Sequence, residues 1–543
     1  MKCRHCQSKV SLELCNLGFA PVSNGYLSKE ALSVKENYYP LRVGVCNSCW
    51  LVQTEDFSSP EELFSTDYAY FSSASSSFLA HAKSYVEMIE QRLNLNSSSL
   101  VCEIASNDGY LLKNFKEKNI PCYGVEPTHS TAEASEKLGI KNIKEFFGTE
   151  LAKELVMKDM QCDLILGNNV FAHVPDINDF TSGIATLLKS NGVVTLEFPH
   201  LLKLLEFCQF DTIYHEHYSY LSLHAVQKIF SKAGLRIFDV EEIVTHGGSI
   251  RVYGCHDSSS MKEMQSVEKL LDCEKDFGIC EESTYDGFQL KVDYIKNSLL
   301  EFLLEQKAMN KIVVGYGAAA KGNTLLNYSG IKPDLISHVF DGAKSKQNKF
   351  LPGSHIPILE PSRISEIDPD YVVIFPWNIA DEIQKIAKPL VRQETKFVVA
   401  IPELSIIWQI KFIIQIGAND GKRFDIINKF IKKFQTPTIL IEPIKSNFDN
   451  LKKNYSNQKN LFFENVAISV DGEISELYKV SEDKISFYDN HIVGITSFDK
   501  NHLLKHGVKS KHIIKEQVNA ISIKDLINKY LIKNFDLLLI DTE

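Results

Sequence analysis

The 543-residue sequence has no cysteine after position 280, no apolar run near the roughly 18 residues of a membrane span, and no surplus of positive charge. Each absence closes off a class of protein. Without a long apolar segment, and with an N-terminus (MKCRHCQSKV) that lacks the core of a signal peptide, the chain is expected to stay in the cytoplasm and off the membrane. A net charge of −10, with no basic stripe against it, speaks against nucleic acid as a partner. No sequence feature sets an oligomeric state. Cysteines crowded into one part of a cytoplasmic chain point to metal or buried thiols rather than disulfides. What is present is an ordinary globular composition, 44% apolar and 24% charged, on a chain too long for one hydrophobic core. Several domains are expected. Near residue 411 the texture shifts to Lys, Asn, Ile and Phe, which marks one boundary.

Cys3-x2-Cys6 and Cys46-x2-Cys49 form two CxxC pairs. Each pair can set two thiolates on one turn, and two such turns complete a tetrahedron around Zn²⁺. Four thiolates leave no position for water, so the zinc is expected to be structural.

One phrase occurs twice. VCEIASNDGYLLKNF followed by YGVEP returns loosely as IIQIGANDGKRFDII followed by ILIEP. Each reads as strand, tight turn at Asn-Asp-Gly, helix, and a second strand ending in Glu-Pro: a βαβ unit whose ligand sits at the carboxyl ends of the strands. Gly109 and Gly421 allow close backbone approach. Glu126 and Glu442 can accept two hydrogen bonds from a ribose diol. NAD would want G-x-G-x-x-G, which neither unit has. Glu103 at the first strand's end and Asp108 in the turn repel phosphate but suit a sulfonium and an ammonium group. S-adenosylmethionine is therefore the expected ligand. Its candidate contacts are Glu103, Ala105, Asn107, Asp108, Gly109, Glu126 and Pro127, with Asn168 and Asn169 from the next strand. That strand is CDLILGNNVFAHVPD, with His173 just beyond; GVVTLEFPH is a fifth, ending near Glu197 and His200. Helices between the strands place the sheet in the doubly wound α/β class.

KIVVGYGAAAKGNTLLNY is a different glycine loop, a strand leading to a helix N-terminus with Lys321 beside it. The pattern suits phosphate. It is also the mark of NAD-binding domains, but the lysine-rich FDGAKSKQNKFLPG that follows fits a diphosphate better than a nicotinamide. Candidate substrate contacts are Gly315, Gly317, Lys321, Gly322 and Asn323, joined by His246, Gly247 and Gly248 of THGGSIRVY. The last three are either a plain hairpin or a place where backbone meets cofactor or sugar.

YHEHYSY, Tyr214 to Tyr220, holds two histidines, a glutamate and three tyrosines. It could be a metal site (His215, His217 and His173), a proton-transfer site, or a polar aromatic loop. In an extended strand Glu216 and His217 would face opposite ways. Only a loop or a helix start brings them to one ligand, and SLHAVQKIF, which follows, has helical spacing.

Taken in order, the paired CxxC motifs, EIASNDGYLL, GVEP, NNVFAHVPD, EFPH, YHEHYSY, THGGSIRVY, GYGAAAKGNTLLN and FDGAKSKQNKFLPG resemble the sugar C-methyltransferase family over residues 1–410. The resemblance implies methylation of carbon 3 of a nucleotide-linked 4-keto-deoxysugar. His217 would be the base; Tyr214, Glu216, His173 and Tyr68 or Tyr70 would line the sugar pocket. It implies a zinc-binding domain (1–65), an adenosylmethionine-dependent class I methyltransferase domain (66–255), a helical connector (256–310) and a second Rossmann-like domain holding the nucleotide (311–410). Residues 411–543 resemble the front of an FkbM-type methyltransferase domain. There Gln415 replaces the usual acidic residue, and about three strands of the fold are missing: the gene continues elsewhere, the sequence is a fragment, or the domain is degenerate. Rival readings are O- or N-methylation of another acceptor, an NAD-linked dehydrogenase resting on Gly315–Gly322 alone, and a non-catalytic zinc-bearing scaffold that binds nucleotide sugars.

Overall fold

The computed structural model describes residues 1–57, 71–74, 76–407, 412–422, 427–434, 436–456, 458–470, 472, 475–488, 495–530, 532 and 535–540. The chain divides into two units, Met1–Ile407 and Trp408–Glu543.

In the first unit, Leu12–Ala20 (β1), Tyr39–Val45 (β2) and Val52–Thr54 (β3) form an antiparallel sheet whose fourth strand comes from far along the chain, Ser219–Tyr220 (β9). Tyr220 pairs with Val52 and Ser219 with Gln53. The edge of β3 is thus covered by the end of YHEHYSY, a strand the sequence does not announce. Pairing an exposed edge satisfies backbone groups that would otherwise invite another chain.

The central sheet contains Val101–Ile104 (β4), Cys122–Val125 (β5), Lys141–Ile143 (β6), Cys162–Asn168 (β7), Leu188–Pro199 (β8), Leu235–Ile243 (β10) and Ser249–His256 (β11), in the order β10-β11-β8-β7-β4-β5-β6. β4 to β8 run parallel, and β11 is antiparallel to both its neighbours. β4 is buried along its whole length, as helix-covered parallel strands are. The chain leaves β4 toward β5 and β6 on one side and returns to β7 and β8 on the other. That reversal opens a crevice at the carboxyl ends of β4 and β7, the usual ligand position in such sheets.

The helix after YHEHYSY, Leu223–Lys232, starts where Ser222 accepts the Ala225 N–H at 3.1 Å. Its buried Leu223, Val226, Ile229 and Phe230 repeat at helical spacing and face the central core. Gln265–Phe277 and Phe288–Ala308 then lead to a third sheet: Val313–Tyr316 (β12), Val339–Phe340 (β13), Ile358–Leu359 (β14), Tyr371–Ile374 (β15), Lys396–Val399 (β16) and Ser405–Ile407 (β17). Its order is β14-β13-β12-β15-β16-β17, parallel except for β17, with its own reversal between β12 and β15. One core runs from β1 residues Leu14 and Leu17 through Val292 and Leu299 to Val313 and Val373, so this last domain packs on the first.

The second unit has a parallel sheet of Ile413–Ile416 (β18), Thr438–Ile441 (β19), Leu461–Glu464 (β20) and Leu537–Ile540 (β25), ordered β20-β19-β18-β25. Two smaller pairs, Ala467–Ile468 (β21) with Ala520–Ile521 (β24) and Ser475–Val480 (β22) with Ile513–Val518 (β23), complete the unit. Among the described residues no helix is long and apolar enough to cross a membrane.

Candidate active site

The turn after β4 alternates into the left-handed region at Ala105, Asn107 and Gly109 (φ 57°, 49° and 76°). The turn after β18 repeats it at Gly417, Asn419 and Gly421 (φ 83°, 47° and 69°). Glycine and asparagine tolerate this region; alanine does so at about 1 kcal/mol, so Ala105 is held there by its surroundings. Its N–H donates to the Val125 carbonyl at 2.8 Å, and the turn beyond it is tied by the glutamate at the end of the next strand. Glu126 Oε2 accepts the Asn107 N–H at 2.8 Å, while Oε1 takes the Thr128 N–H at 2.9 Å and its hydroxyl. Glu442 does the same for Asn419 N–H at 2.9 Å and Ile444 N–H at 3.0 Å. In the third sheet Asp341 accepts the Ala318 N–H at 2.7 Å. All three βαβ turns are therefore tied by a carboxylate on the second strand. Glu126 Oε2, which takes a single N–H, keeps lone-pair capacity for a ribose hydroxyl. Pro127, with no N–H, passes that bond on to Thr128. Gly109 has a packing reason of its own, since a Cβ there would lie 2.5 Å from Ser135 Oγ and 2.8 Å from Ile140.

Around this turn, buried polar atoms have no partner among the described residues: Glu103 Oε2, Asp108 Oδ1, both amide atoms of Asn168, and Asn169 Oδ1. Folded proteins leave few such atoms, so a cluster at a crevice is the imprint of a ligand. Its sign is legible. Burial, and then the charges of Asp108 and Glu126, push the Glu103 carboxyl well above the usual carboxylate range. A cation relieves the cost at the four unpartnered oxygens, and the Asn168 Nδ2 donor is left for a carboxylate or hydroxyl; a pyrophosphate would add to the acidic repulsion. The residues thus fit the sulfonium and ammonium of S-adenosylmethionine. Binding at pH 7 should therefore release protons. Calorimetry in buffers of different ionisation enthalpy should register the release, and Glu103→Gln should remove it; an unchanged proton count in that variant would place the titration elsewhere.

Two further rim residues are committed. Glu197 pairs with Arg251 at 2.7 Å and His81 at 2.9 Å. Burial alone would raise its carboxyl, but those two partners hold it at about 2. His200 is turned to Glu274 at 2.7 Å.

Tyr214–His217 is a turn, closed by His217 N–H donating to the Tyr214 carbonyl at 2.9 Å. It escapes the alternation that would separate Glu216 from His217 in a strand. His217 Nδ1 lies 2.7 Å from the Thr212 carbonyl. A carbonyl only accepts, so Nδ1 carries the proton, and the neutral ring presents a basic Nε2. His173 Nδ1 likewise donates to the Glu216 carbonyl at 2.8 Å. The His173 and His217 ring centres are 4.6 Å apart, and the Tyr214 ring lies 4.0 Å from His217. Burial, then the neighbouring His173, hold His217 well below the ordinary histidine value; burial brings His173 to about 4. Glu216, with Oε2 bonded by Asn24 and Oε1 unpartnered, is pushed up to about 7 by burial. Tyr68 and Tyr70 lie outside the described residues.

The reading of His215, His217 and His173 as a metal site is overturned. His215 Nε2 faces the Pro40 and Tyr39 carbonyls of β2 at 3.2 and 3.3 Å, and among the described residues the one group arranged to hold a metal is Cys3, Cys6, Cys46 and Cys49. The four sulfurs lie within 4.8 Å of one another, with Cys3–Cys49 at 3.4 Å and Cys6–Cys46 at 3.5 Å. Tetrahedral Zn²⁺ with bonds of about 2.3 Å spaces its thiolates by roughly 3.8 Å, so the set fits a closed structural site. The two knuckles match: Gln7 N–H returns to Cys3 O at 2.9 Å and Trp50 N–H to Cys46 O at 2.7 Å, each from φ 64°.

The glycine loop of the third sheet brings Lys321 and Asn323 toward this centre. Gly315, Gly317 and Gly322 each face Phe375 or Pro376, where a Cβ would come within 2.5, 2.4 and 2.9 Å, so close packing requires them. Lys321 Nζ donates to Asn378 at 2.8 Å and lies 4.7 Å from the Trp377 ring. Asn323 Nδ2 donates to the Ser23 carbonyl at 2.6 Å, leaving its Oδ1 unpartnered. His246, at φ 54°, has a buried and unpartnered Nε2 and is brought to about 4, chiefly by burial. Gly247 is forced, since a Cβ would stand 2.3 Å from Trp377; one at Gly248 would meet Lys203 at 2.7 Å. Asn24, the Thr212 carbonyl, Asp211 and Trp377 join the site without any sequence motif to mark them. FPWNIADEI reads only as strand and helix, and a backbone acceptor leaves no trace in the sequence.

Sheet order, the crevice between β4 and β7 and its acidic, unsatisfied lining define a class I S-adenosylmethionine-dependent methyltransferase. Family models match as a zinc binding domain at residues 3–64, a methyltransferase domain at 78–240, a C-methyltransferase C-terminal domain at 244–402 and a methyltransferase FkbM domain at 415–543. The curated C-methyltransferase NovU of Streptomyces niveus is 34% identical over 406 residues, covering 75% of this chain and 96% of the relative. The chain belongs to the sugar C-methyltransferase family and carries an FkbM domain behind it. Solved structures that match include magnesium protoporphyrin IX methyltransferase (ChlM) from Synechocystis with bound SAM, 14% identical over 33% of this chain and 79% of its own, TM-score 0.26. Another is a SAM-dependent methyltransferase from Anabaena variabilis, 15% identical over 32% and 83%, TM-score 0.27. At such scores neither adds to the topology.

Proposed function

We propose that the enzyme methylates the carbon beside the ketone of a nucleotide-linked keto-deoxysugar, in the cytoplasm, with neither nucleic acid nor membrane as partner. The observation that carries this reading is His217: a histidine kept neutral, its tautomer set by the Thr212 carbonyl, in a segment bonded by Thr54 on one side and Thr324 on the other. Such a group is unprotonated at neutral pH, with Nε2 open to accept a proton from a carbon acid. Its Nε2 takes the proton, the C–H electron pair becomes an enolate, and the carbanion carbon receives the methyl group. Bound adenosylmethionine supplies that methyl on a positively charged sulfur, which leaves as a neutral thioether.

The chain's own residues do the rest. Glu103, Ala105, Asn107, Asp108, Gly109, Glu126, Pro127, Asn168 and Asn169 form the donor side. His173, Tyr214, Glu216 and, from the preceding segment, Tyr68 or Tyr70 line the sugar. A Glu216 carboxyl pushed up to about 7 by burial can, when protonated, donate a hydrogen bond to a sugar oxygen. Gly315, Gly317, Lys321, Gly322 and Asn323, with His246, Gly247 and Gly248, form the substrate side. The domains we assign are 1–65, 66–255, 256–310, 311–410 and 411–543.

Incubation with candidate deoxysugar nucleotides and adenosylmethionine, followed by mass spectrometry, should show the gain of one methyl on carbon. A methyl found only on oxygen or nitrogen would reject the reading, and no transfer with any keto-sugar would favour a scaffold. Glu126→Ala should weaken adenosylmethionine binding at least tenfold by calorimetry, the cost of about 1.4 kcal/mol per tenfold being small for a bidentate carboxylate. NAD(H) should not bind. Because His217 must be neutral to act and its value is depressed, kcat/KM should fall only below the ordinary histidine pH of about 6.5. A limb at or above that value would contradict the assignment.

A further inference from the structure

Lys321 departs from what the glycine loop suggests. At the start of a helix after a Gly-x-Gly turn it would be expected to reach out toward phosphate, yet its ammonium is folded inward. Its Nζ is held by the Asn378 amide oxygen at 2.8 Å and stands 4.7 Å over the Trp377 ring. That indole donates to Asp211 at 2.8 Å, and the far edge of its ring closes on Gly247, next to His246. One helical turn on from Lys321, Thr324 donates to the Ile213 carbonyl at 2.8 Å, directly before Tyr214. The helix bearing Lys321 is therefore fastened to the same segment whose Thr212 carbonyl orients His217. The amides that a phosphate would want are meanwhile in use: Asp341 occupies Ala318 N–H, and Gly317 N–H returns to the Phe340 carbonyl at 2.7 Å.

An ammonium has three donors, and among the described residues Lys321 spends one on Asn378. Asp211 and His246 present unpartnered buried atoms in the same neighbourhood. The titratable groups facing the ammonium are Asp211 and His217 of the 211–217 segment and His246 of the 245–247 turn; its own domain offers Asn378 and Trp377. Burial lowers the lysine somewhat, and the Asp211 carboxylate opposes that. The positive charge in turn contributes to keeping His217 and His246 neutral.

We propose that Lys321 is a catalytic residue: the cation that receives the enolate oxygen of the sugar while His217 removes the adjacent proton, rather than a ligand of the diphosphate. The inference rests on the carbon-acid reading above. When the C–H bond breaks, its electron pair delocalises onto the carbonyl oxygen, and a fixed ammonium in a water-poor cleft stabilises that charge without accepting or giving a proton. When the methyl group arrives the charge returns to carbon and disappears. Groups aimed at developing oxyanions of this kind are worth about 10²–10³-fold in turnover.

Lys321→Met separates the two roles. We expect kcat to fall about 100-fold with KM for the nucleotide sugar nearly unchanged, since the interaction is made in the transition state. Removing a cation beside His217 also raises the imidazole's affinity for protons, so the acid limb of kcat/KM should move to higher pH. Exchange of the substrate's acidic proton with solvent deuterium, run without methyl donor, should slow in step with kcat. Unchanged adenosylmethionine affinity shows that the variant is folded, and Lys321→Arg should recover part of the turnover. Intact kcat with weakened binding of the free nucleoside diphosphate would overturn the proposal and return Lys321 to phosphate binding. Exchange at the wild-type rate in Lys321→Met would overturn it too, while absence of exchange in the wild-type enzyme would sink the carbon-acid reading and this inference together.

Discussion

His217→Ala should reduce turnover by about 10²–10⁴-fold, the range expected when a positioned general base is lost. The affinity for adenosylmethionine should hardly change, because His217 is bonded outside the Glu103–Glu126 cradle: its ring bonds to the Thr212 carbonyl, its backbone to Tyr214 and Thr54, and its ring neighbours are Tyr214, His173 and Tyr220. Alanine would also empty a buried site, so His217→Gln is the cleaner companion, retaining an amide donor for the Thr212 carbonyl while losing the basic nitrogen. Both variants should lose solvent exchange at the substrate carbon along with methyl transfer. If either retained turnover within a few-fold of the wild type, the base would have to be another group, with His173 the nearest alternative.

Zinc removal should be the second large effect, and it should reach the chemistry although the metal stands apart from it. Cys3, Cys46 and Cys49 share a core with the central sheet. Arg4 of the first knuckle donates to the Pro175 carbonyl at 2.9 Å and to Thr54 at 3.0 Å, and Asn178 bonds back to the Arg4 and His5 carbonyls at 3.1 and 2.9 Å. β3 in turn carries β9, the end of the catalytic phrase, and Thr54 Oγ1 donates to the His217 carbonyl at 3.0 Å. Structural zinc contributes about 10–16 kcal/mol of apparent free energy in small fingers, as much as a whole domain's net stability. Cys46→Ser, or chelation, should therefore lower the melting temperature of the protein by about 10 °C or more and abolish activity. Activity unchanged with the metal fully removed would show that β9 needs no support from the knuckles. A pH effect accompanies it. His173 and His246, held at about 4, are neutral in the fold but protonate near 6.5 when unfolded, so stability should fall as pH drops from about 6.5 toward 4.

Local chemistry made much of the fold legible. The Asn-Asp-Gly turns and Glu-Pro strand ends announce two βαβ units, because a left-handed turn needs particular residues and a buried strand needs an apolar run. The doubled CxxC announces its metal for the same reason. What the sequence conceals is long-range. Ser219–Tyr220 pairing with β3 depends on an edge that only the folded sheet presents. His215 looks like a ligand beside His217, but the turn sends it to the β2 carbonyls, while Glu216 meets an asparagine 192 positions away. Glycines expected to admit ligands at Gly109, Gly315 and Gly322 are fixed by side chains packed across from them, a constraint that spacing cannot reveal. Asp211 and Trp377 carry no motif, and their meeting at 2.8 Å joins elements 166 residues apart.

The most direct test is exchange of the substrate's acidic proton in deuterated buffer, with no methyl donor present, on a nucleotide-linked keto-deoxysugar. The wild-type protein should introduce deuterium beside the carbonyl, and addition of adenosylmethionine should convert that position to a methylated carbon. Methyl transfer to carbon with no prior loss of that proton, or exchange that persists undiminished in His217→Gln, would contradict the account.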